Sequence, residues 1–201
     1  MTAVLGFGSM VLDQLPDNHP LRHAVEQIVS AGERATNLTR QLLTFSRKQA
    51  MQPKSLNLDA VIHGISPMLR RLLNENVTLE MAEAKDLPPI FADEAMMEQV
   101  ILNLVVNARD AMPKGGRIRV TTSLAELTKV EVAQNPEARP GRFICLSVHD
   151  TGCGMSASVQ AQIFEPFFTT KQTGEGTGLG LDTVYGVVKQ HNGWVEVHSE
   201  E

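Results

Sequence analysis

The chain has 201 residues, of which 42% are hydrophobic and 20% charged, and its formal net charge is −5. This length and apolar content suffice to bury a sizeable core in one domain with a smaller second part. The acidic balance argues against broad binding to nucleic acids or anionic membranes, which favour a basic surface. The two cysteines, Cys145 and Cys153, lack the spacing of metal ligands, and the sequence has no apolar run long enough to span a membrane. We therefore expect a cytoplasmic location, no nucleic-acid partner and no membrane segment in this chain.

The first 50 residues show helical periodicity. Thr2 to Leu15 carries an apolar stripe, and from Leu21 to about Gln49 apolar residues recur every three or four positions. A turn containing Pro16 and Pro20 separates the two segments. Because two such helices expose more apolar surface than they can cover, we predict that residues 1–50 form a helical hairpin with a short first arm, which dimerises as a four-helix bundle.

Residues 51–55 break the helical pattern and are predicted to be a linker. Residues 56–201 then alternate between helical and strand patterns, which predicts an α+β sandwich with one helical layer on a mixed sheet. The predicted elements are a helix from Leu58 to about Leu73, a strand at Val77 to Met81, a helix from Asp93 to Ala111, strands at Gly116 to Leu124 and at Arg142 to Val148, a helix from Leu179 to Gln190 and a strand at Trp194 to His198. The connection from Ala125 to Gly141 shows no functional signal.

Four glycines occupy every second position of one segment: Gly174, Gly176, Gly178 and Gly180. Without Cβ atoms the backbone N–H groups can approach phosphate oxygens, and the helix predicted to follow would turn its N-terminus toward the same anion. The segment is neither a Walker loop, which ends in Gly-Lys-Ser/Thr, nor a dinucleotide fingerprint, which follows a hydrophobic strand directly. A plain flexible loop is the alternative interpretation.

Asn103 and Asn107 lie four residues apart, on one face of an otherwise apolar predicted helix. A buried amide needs a partner, and its oxygen can serve as a hard ligand to Mg²⁺, which takes few protein oxygens and completes its shell with water and substrate phosphates. A capping or interhelical hydrogen-bonding role is the alternative for both residues.

The strand predicted from Arg142 to Val148 runs into Asp150, which is followed by Gly152 and Gly154. A carboxylate there can accept a hydrogen bond from the exocyclic amino group of adenine, whereas the alternative is an ordinary Asx turn. Farther along, three of the chain's seven phenylalanines, Phe164 among them, lie within five residues. We expect them to anchor a mobile lid beside the glycine run, with Lys171 available to a terminal phosphate, or to pack in the core.

Four motifs resemble, in order and spacing, the N, G1, F and G2 boxes of sensor histidine kinases: Asn103 with Asn107, residues 150–154, Phe164 to Lys171, and Gly174 to Leu181. Leu38 to Arg47 also looks like the second helix of the family's dimerisation and phosphoacceptor hairpin, so the resemblance covers nearly the whole chain. It implies a Bergerat-type ATP-binding domain, ATP and Mg²⁺ as cofactors, transfer of the γ-phosphoryl group to a histidine, and a response-regulator receiver domain as partner.

The same resemblance implies roles for individual residues. It implies catalytic roles for Asn103, Asn107 and Lys171, with Asn107 on Mg²⁺ and Asp150 on adenine. The other nucleotide contacts that it implies are Gly152, Gly154, Phe164, Lys171, Gly174, Gly176, Thr177, Gly178, Leu179 and Gly180.

Two features depart from the family pattern. The family's phosphorylated histidine lies just ahead of the residues matching Met1 to Gly6, and none of the chain's six histidines fits it. We therefore expect nucleotide binding without autophosphorylation by this chain. Family members also continue past the position of Glu201 into a final strand, so we expect the sheet to lack that strand and the chain to be the cytosolic portion of a larger sensor.

Two other functions stay open. A gyrase- or chaperone-type ATPase uses a glutamate four residues before the Mg²⁺-binding asparagine to activate water, where this chain has Asn103, and an amide cannot act as a general base. The second alternative is a non-catalytic dimeric module that binds nucleotide or docks a response regulator. Arg109 and Asp110 stand where some relatives carry a phosphate-contacting cation, and their role is left open.

Overall fold

The computed structural model describes residues 2–16, 19–29, 31–32, 51–84, 86–130, 132, 135–171 and 176–201. It divides into two compact units, one formed by Met1–Ala50 with Thr170–Thr177 and the other by Met51–Thr169 with Gly178–Glu201. Among the helices of these described ranges, none combines the length and the apolar character that a membrane span requires.

In the first unit the described residues form two helices. Helix α1 spans Thr2–Gln14 and helix α2 covers residues 22–29. The Arg22 guanidinium donates to the carbonyl oxygen of Leu15 at 2.8 Å, which holds the start of α2 against the end of α1. The predicted continuation of the second helix to Gln49 lies outside the described residues, and the four-helix bundle stays a prediction.

Five strands in the second unit form two sheets. They are β1 (Lys54–Leu56), β2 (Val77–Ala82), β3 (Ile90–Ala92), β4 (Gly116–Leu127) and β5 (Gly141–Asp150). Strands β1 and β3 pair antiparallel. Strand β4 lies between β2, to which it is parallel, and β5, to which it is antiparallel, so the larger sheet is mixed as the sequence predicted.

Four helices accompany these strands: α3 (Leu58–Leu72), α4 (Glu94–Asp110), α5 (Ala157–Gln160) and α6 (Gly180–Gln190). Helix α3 begins after Asn57, whose side-chain oxygen accepts from the N–H of Asp59 at 2.9 Å and of Ala60 at 3.2 Å. These bonds satisfy donors that a helix start otherwise leaves without partners. Helix α4 packs against α3, α6, β4 and β5.

The core lies between the helical layer and the sheet. Leu69 of α3, Ile101 and Val105 of α4 and Ile118 of β4 have no exposed surface. The alternation along β4 turns Ile118 and Val120 inward, as a half-buried strand requires. Truncating one such side chain to alanine typically costs about 2–5 kcal/mol, so this interface contributes strongly to the stability of the unit.

The structure differs from the sequence expectations at several places. Strand β3 and helix α5 were not predicted, and β4 continues to Leu127, beyond its predicted end at Leu124. Lys54 and Ser55, assigned to the linker, belong to β1. The sequence did not indicate this strand because three residues are too few to show alternation. The strand predicted at Trp194 to His198 is wrong, since these residues have no regular secondary structure. Side-chain contacts hold the segment instead, including the edge-on Trp194 ring 4.7 Å from the Phe143 ring.

Candidate nucleotide site

Helix α4 carries the two asparagines, and Asp93 defines where it begins. The Asp93 carboxylate accepts from the N–H of Gln52 at 2.9 Å and of Met96 at 3.1 Å. The Gln52 N–H is the largest cause that holds the pKa of Asp93 below its ordinary value, and the Met96 N–H acts in the same direction. The helix is therefore fixed at its N-terminus by a carboxylate that stays ionised.

Asn103 and Asn107 occupy the half-buried side of α4, one turn apart. The fully buried side is apolar and includes Val100, Ile101 and Val105. The two amides were expected to be buried, but the structure leaves them half-buried beside this apolar side. Within the described part of the chain, neither carboxamide has a hydrogen-bond partner. Both amides are therefore available to a ligand on this side of the helix.

Asn107 lies against the start of α6. A Cβ placed on Gly180, the first residue of α6, would be 3.3 Å from Nδ2 and 3.8 Å from Oδ1 of Asn107. The preceding residue, Leu179, is buried and supplies no capping hydrogen bond to the helix. The first N–H groups of a helix without a cap, together with the helix dipole, favour an anion beside this carboxamide. Burial raises the pKa of Asp182 in the first turn of this helix.

Asp150, at the end of β5, forms the Asx turn that was the alternative to adenine binding. Its Oδ1 atom accepts from the N–H of Gly152 at 2.8 Å. Among the described residues, Oδ2 has no partner, so one carboxylate oxygen orders the loop and the other can accept from a ligand. The two interpretations are therefore compatible.

The loop that follows Asp150 is attached to the C-terminus of α4. The N–H of Cys153 donates to the carbonyl oxygen of Ala111 at 3.1 Å. At Gly152 a Cβ would lie 2.7 Å from the Ala111 Cβ and 2.8 Å from its carbonyl oxygen, so any larger residue would push the loop away. The N–H of Ala111 in turn donates to the carbonyl oxygen of Asn107 at 3.0 Å. One helix end thus positions both the asparagine and the Asp150 loop.

A cavity of about 630 Å³ adjoins this loop. Asp150, Gly152 and Gly154 line it together with Gln160 and residues 197–200. Its volume lies within the range of small-molecule sites, about 300–1,000 Å³. Asn107 and Gly180 are not among its described lining residues, so the structure groups the sequence-predicted residues into an Asp150 end and an Asn107 end, linked by α4.

The phenylalanines do not form one core cluster. Phe164 is half-buried, with its ring centre 5.4 Å from that of Tyr185 on α6, whereas Phe167 is 64% exposed. The N–H of Phe167 donates to the carbonyl oxygen of Gly178 at 3.0 Å. Gly178 has φ +65°, and a Cβ there would lie 2.3 Å from the Phe167 carbonyl carbon, so this close approach requires glycine.

The remaining predicted nucleotide contacts either lie outside the described residues or belong to the first compact unit. Gly174 is outside the described residues. Lys171, Gly176 and Thr177 are described within Thr170–Thr177, which belongs to the first compact unit. Their roles at the nucleotide stay predictions.

The structure gives Arg109 a structural role. Its guanidinium donates to Asp110 Oδ1 at 2.6 and 2.8 Å and to the carbonyl oxygen of Leu72 at 3.0 Å. Asp110 is thus paired with a cation, and Arg109 connects the ends of α3 and α4.

Sequence reasoning missed Tyr185 and Glu137, which contact each other beside Phe164. Glu137 lies in the connection from Ala125 to Gly141, for which no functional signal was found. The one available signal was composition, because Tyr185 is the only tyrosine in the sequence.

Comparison with known proteins identifies the fold. Residues 92–201 match the family described as Histidine kinase-, DNA gyrase B-, and HSP90-like ATPase. The chain belongs to this family. Its ATP-binding domain is that of the histidine kinases, as the resemblance of the four motifs predicted.

Among relatives of this ATPase family, the Sensor kinase CckA of Brucella abortus (strain 2308) is 40% identical over 203 residues, which cover 100% of this chain and 21% of that protein. The Signal transduction histidine-protein kinase AtoS of Escherichia coli (strain K12) is 30% identical over 99% of this chain and 30% of its own length. The chain therefore spans less than a third of either relative. In a crystal structure of histidine kinase ThkA in complex with response regulator protein TrrA, the similar chain has 20% identity and a TM-score of 0.60, over 96% of this chain and 51% of that chain. The predicted α+β sandwich with a mixed sheet is confirmed.

Proposed function

We propose that this chain binds Mg-ATP and transfers the γ-phosphoryl group to a histidine, from which it passes to an aspartate of a response regulator. The contact between Asn107 and Gly180 carries the proposal. It brings a carboxamide to the N-terminus of α6, where helix N–H groups favour phosphate oxygens. Asp150 Oδ2 is assigned to the amino group of adenine.

The donor set near Asn107 fits Mg²⁺. An amide oxygen is a hard ligand, and this ion needs few protein oxygens because phosphates and water supply the others. We assign Asn107 as the protein ligand. Bound there, Mg²⁺ would neutralise charge on the phosphates during transfer.

Asn103 favours phosphoryl transfer over hydrolysis. It lies one turn before Asn107 on the same side of α4, and its amide cannot take a proton from water. Phosphoryl transfer to a histidine needs mainly position and charge stabilisation, and not an enzyme base that activates water. This argument supports a kinase over a gyrase- or chaperone-type ATPase.

We further propose that the chain acts as a homodimer that presents a phosphoacceptor hairpin to a receiver domain. Exposed apolar side chains on α1 and around α2 support dimerisation: Phe7, Met10, Val11, Leu21 and Ile28. The complex of ThkA with TrrA supports a response regulator as the partner, because that kinase shares the fold of this chain.

Transfer in trans tests the proposed function. The chain is incubated with Mg²⁺, labelled ATP and a phosphoacceptor hairpin that contains the family's histidine. We expect acid-labile label on the hairpin and none on the chain, and loss of transfer in the Asn107→Ala variant. A hairpin with glutamine in place of the histidine is the control. Release of phosphate without label on the hairpin would contradict the kinase proposal, and acid-labile label on the chain itself would contradict the absence of autophosphorylation.

A further inference from the structure

The connection between β4 and β5 reaches α6 through one carboxylate oxygen. The Tyr185 hydroxyl donates to Oε1 of Glu137 at 2.6 Å, and Nζ of Lys189 lies 2.9 Å from the same oxygen. The Lys189 ammonium also lies 5.3 Å from the centre of the Tyr185 ring. Glu137 therefore holds two side chains that are one turn apart on the same helix.

The Tyr185 ring contacts Phe164 as well. The ring centres are 5.4 Å apart and the planes are inclined by 34°, a distance at which aromatic pairs attract. Three residues after Phe164, the N–H of Phe167 donates to Gly178, two residues before α6 begins. The Tyr185 ring therefore packs against Phe164, a residue assigned to nucleotide binding.

We propose that Glu137 and Tyr185 are positioning residues for nucleotide binding, because Glu137 fixes the rotamer of Tyr185 and the Tyr185 ring fixes Phe164. This inference rests on the proposed function. A hydrogen bond from a hydroxyl to a carboxylate is short and charge-assisted, so it selects one rotamer of the tyrosine.

The protonation states support this arrangement at neutral pH. The Tyr185 hydroxyl, followed by Lys189, holds the pKa of Glu137 below its ordinary value. Glu137 in turn raises the pKa of Tyr185. At neutral pH the Glu137 carboxylate is therefore ionised and the Tyr185 hydroxyl is protonated.

The contacts among Glu137, Tyr185 and Lys189 are poorly suited to a purely structural role. The side chains of Glu137 and Lys189 are 34% and 33% exposed, and exposed ion pairs add little to stability. Removing the Glu137 carboxylate should therefore leave the fold intact and change where the Phe164 ring lies. Affinity for nucleotide should move more than the melting temperature does.

Nucleotide affinity and a double-mutant cycle test the inference on the full chain. We expect Glu137→Ala and Tyr185→Leu to weaken binding of a non-hydrolysable ATP analogue by about three- to tenfold, the range expected when one aromatic contact is lost. The matched control is Glu126→Ala, since Glu126 is an exposed glutamate on β4 whose side chain makes no hydrogen bond or ion pair among the described residues. In a Phe164→Leu background, Glu137→Ala should have no further effect on affinity.

A spectroscopic reading accompanies the cycle. Because Tyr185 is the only tyrosine, its ionisation can be followed by ultraviolet absorbance, and the midpoint should fall in Glu137→Ala. Wild-type affinity in Glu137→Ala, or a loss that is the same with and without Phe164, would overturn the positioning role and leave the proposed function standing. If the wild-type chain binds no nucleotide, both the proposed function and this inference are overturned.

Discussion

Replacing Gly180 with alanine should separate stability from nucleotide binding. The new Cβ would lie 3.3 Å from Nδ2 of Asn107, a few tenths of an ångström closer than the optimal contact of about 3.5–4.0 Å. The carboxamide must therefore move or rotate. Alanine is also favoured over glycine in a helix interior by about 1 kcal/mol, so at the first position of α6 the gain in melting temperature should not exceed about 2–4 °C for a chain of this size.

We expect Gly180→Ala to melt at or slightly above the wild-type temperature while it binds Mg-ATP about tenfold more weakly, because Mg²⁺ demands near-ideal ligand geometry. Thermal melts and calorimetric titration with a non-hydrolysable ATP analogue, with and without Mg²⁺, measure the two effects. The matched control is Gly186→Ala on the same helix, where no atom lies within 4 Å of the new Cβ. It should gain stability and keep the wild-type affinity.

Two results would refute this reasoning. If Asn107→Ala weakens binding and Gly180→Ala does not, the start of α6 does not position the carboxamide. If Gly180→Ala weakens binding equally with and without Mg²⁺, the assignment of Asn107 to the metal is wrong.

Three further predictions follow from the geometry. Gly178→Ala should destabilise the fold by about 2–4 kcal/mol in urea denaturation, because it combines a positive φ with a clash against the Phe167 carbonyl. Phe167→Gly, at φ +67°, should change stability by less than about 1 kcal/mol, and equal losses in the two variants would contradict the role of the close approach. Asp150→Asn should keep the turn to Gly152 yet weaken ADP binding by about tenfold or more, since the adenine amino group loses its charged acceptor; unchanged calorimetric affinity would remove the assignment. The contribution of Tyr185 to the free energy of unfolding should be fully present below its ordinary pKa of 10.0 and lost as the pH rises through the raised pKa. The contribution of Glu137 should be fully present above its ordinary pKa of 4.5 and lost as the pH falls through the lowered pKa. The difference in melting temperature between the wild-type chain and Glu137→Ala should therefore be constant between these limits and shrink outside them.

The features that could be predicted from the sequence are local ones. The interval Asp93 to Ala111 predicted α4 to within one residue at each end, because a capping aspartate and a long apolar periodicity lie within the segment itself. The strand predicted from Arg142 to Val148 likewise agrees with β5, which begins one residue earlier and ends two residues later, at Asp150. Each of these patterns indicates the secondary structure of the segment in which it lies.

Contacts between distant segments could not be predicted in this way. Glu137 and Tyr185 are 48 positions apart, and neither residue lies in a pattern that names the other. The pairing of β1 with β3 joins two three-residue strands, which are too short for periodicity. The alternation from Trp194 to His198 indicates which side chains face inward, but a strand also needs a neighbouring backbone to bond with. That requirement is a property of the assembled sheet.

The last turn of α4 links the Asn107 end of the candidate site to the Asp150 end. Asn107 and Ala111 are separated by one turn, about 6 Å along the axis, and Ala111 holds the loop that follows Asp150. Because a helical turn neither stretches nor compresses easily, the spacing between these two attachment points does not depend on the surrounding loops. In the proposed arrangement, with Asp150 on the base and Asn107 on the metal, this helix would therefore favour ligands whose base and phosphates are separated by one fixed distance.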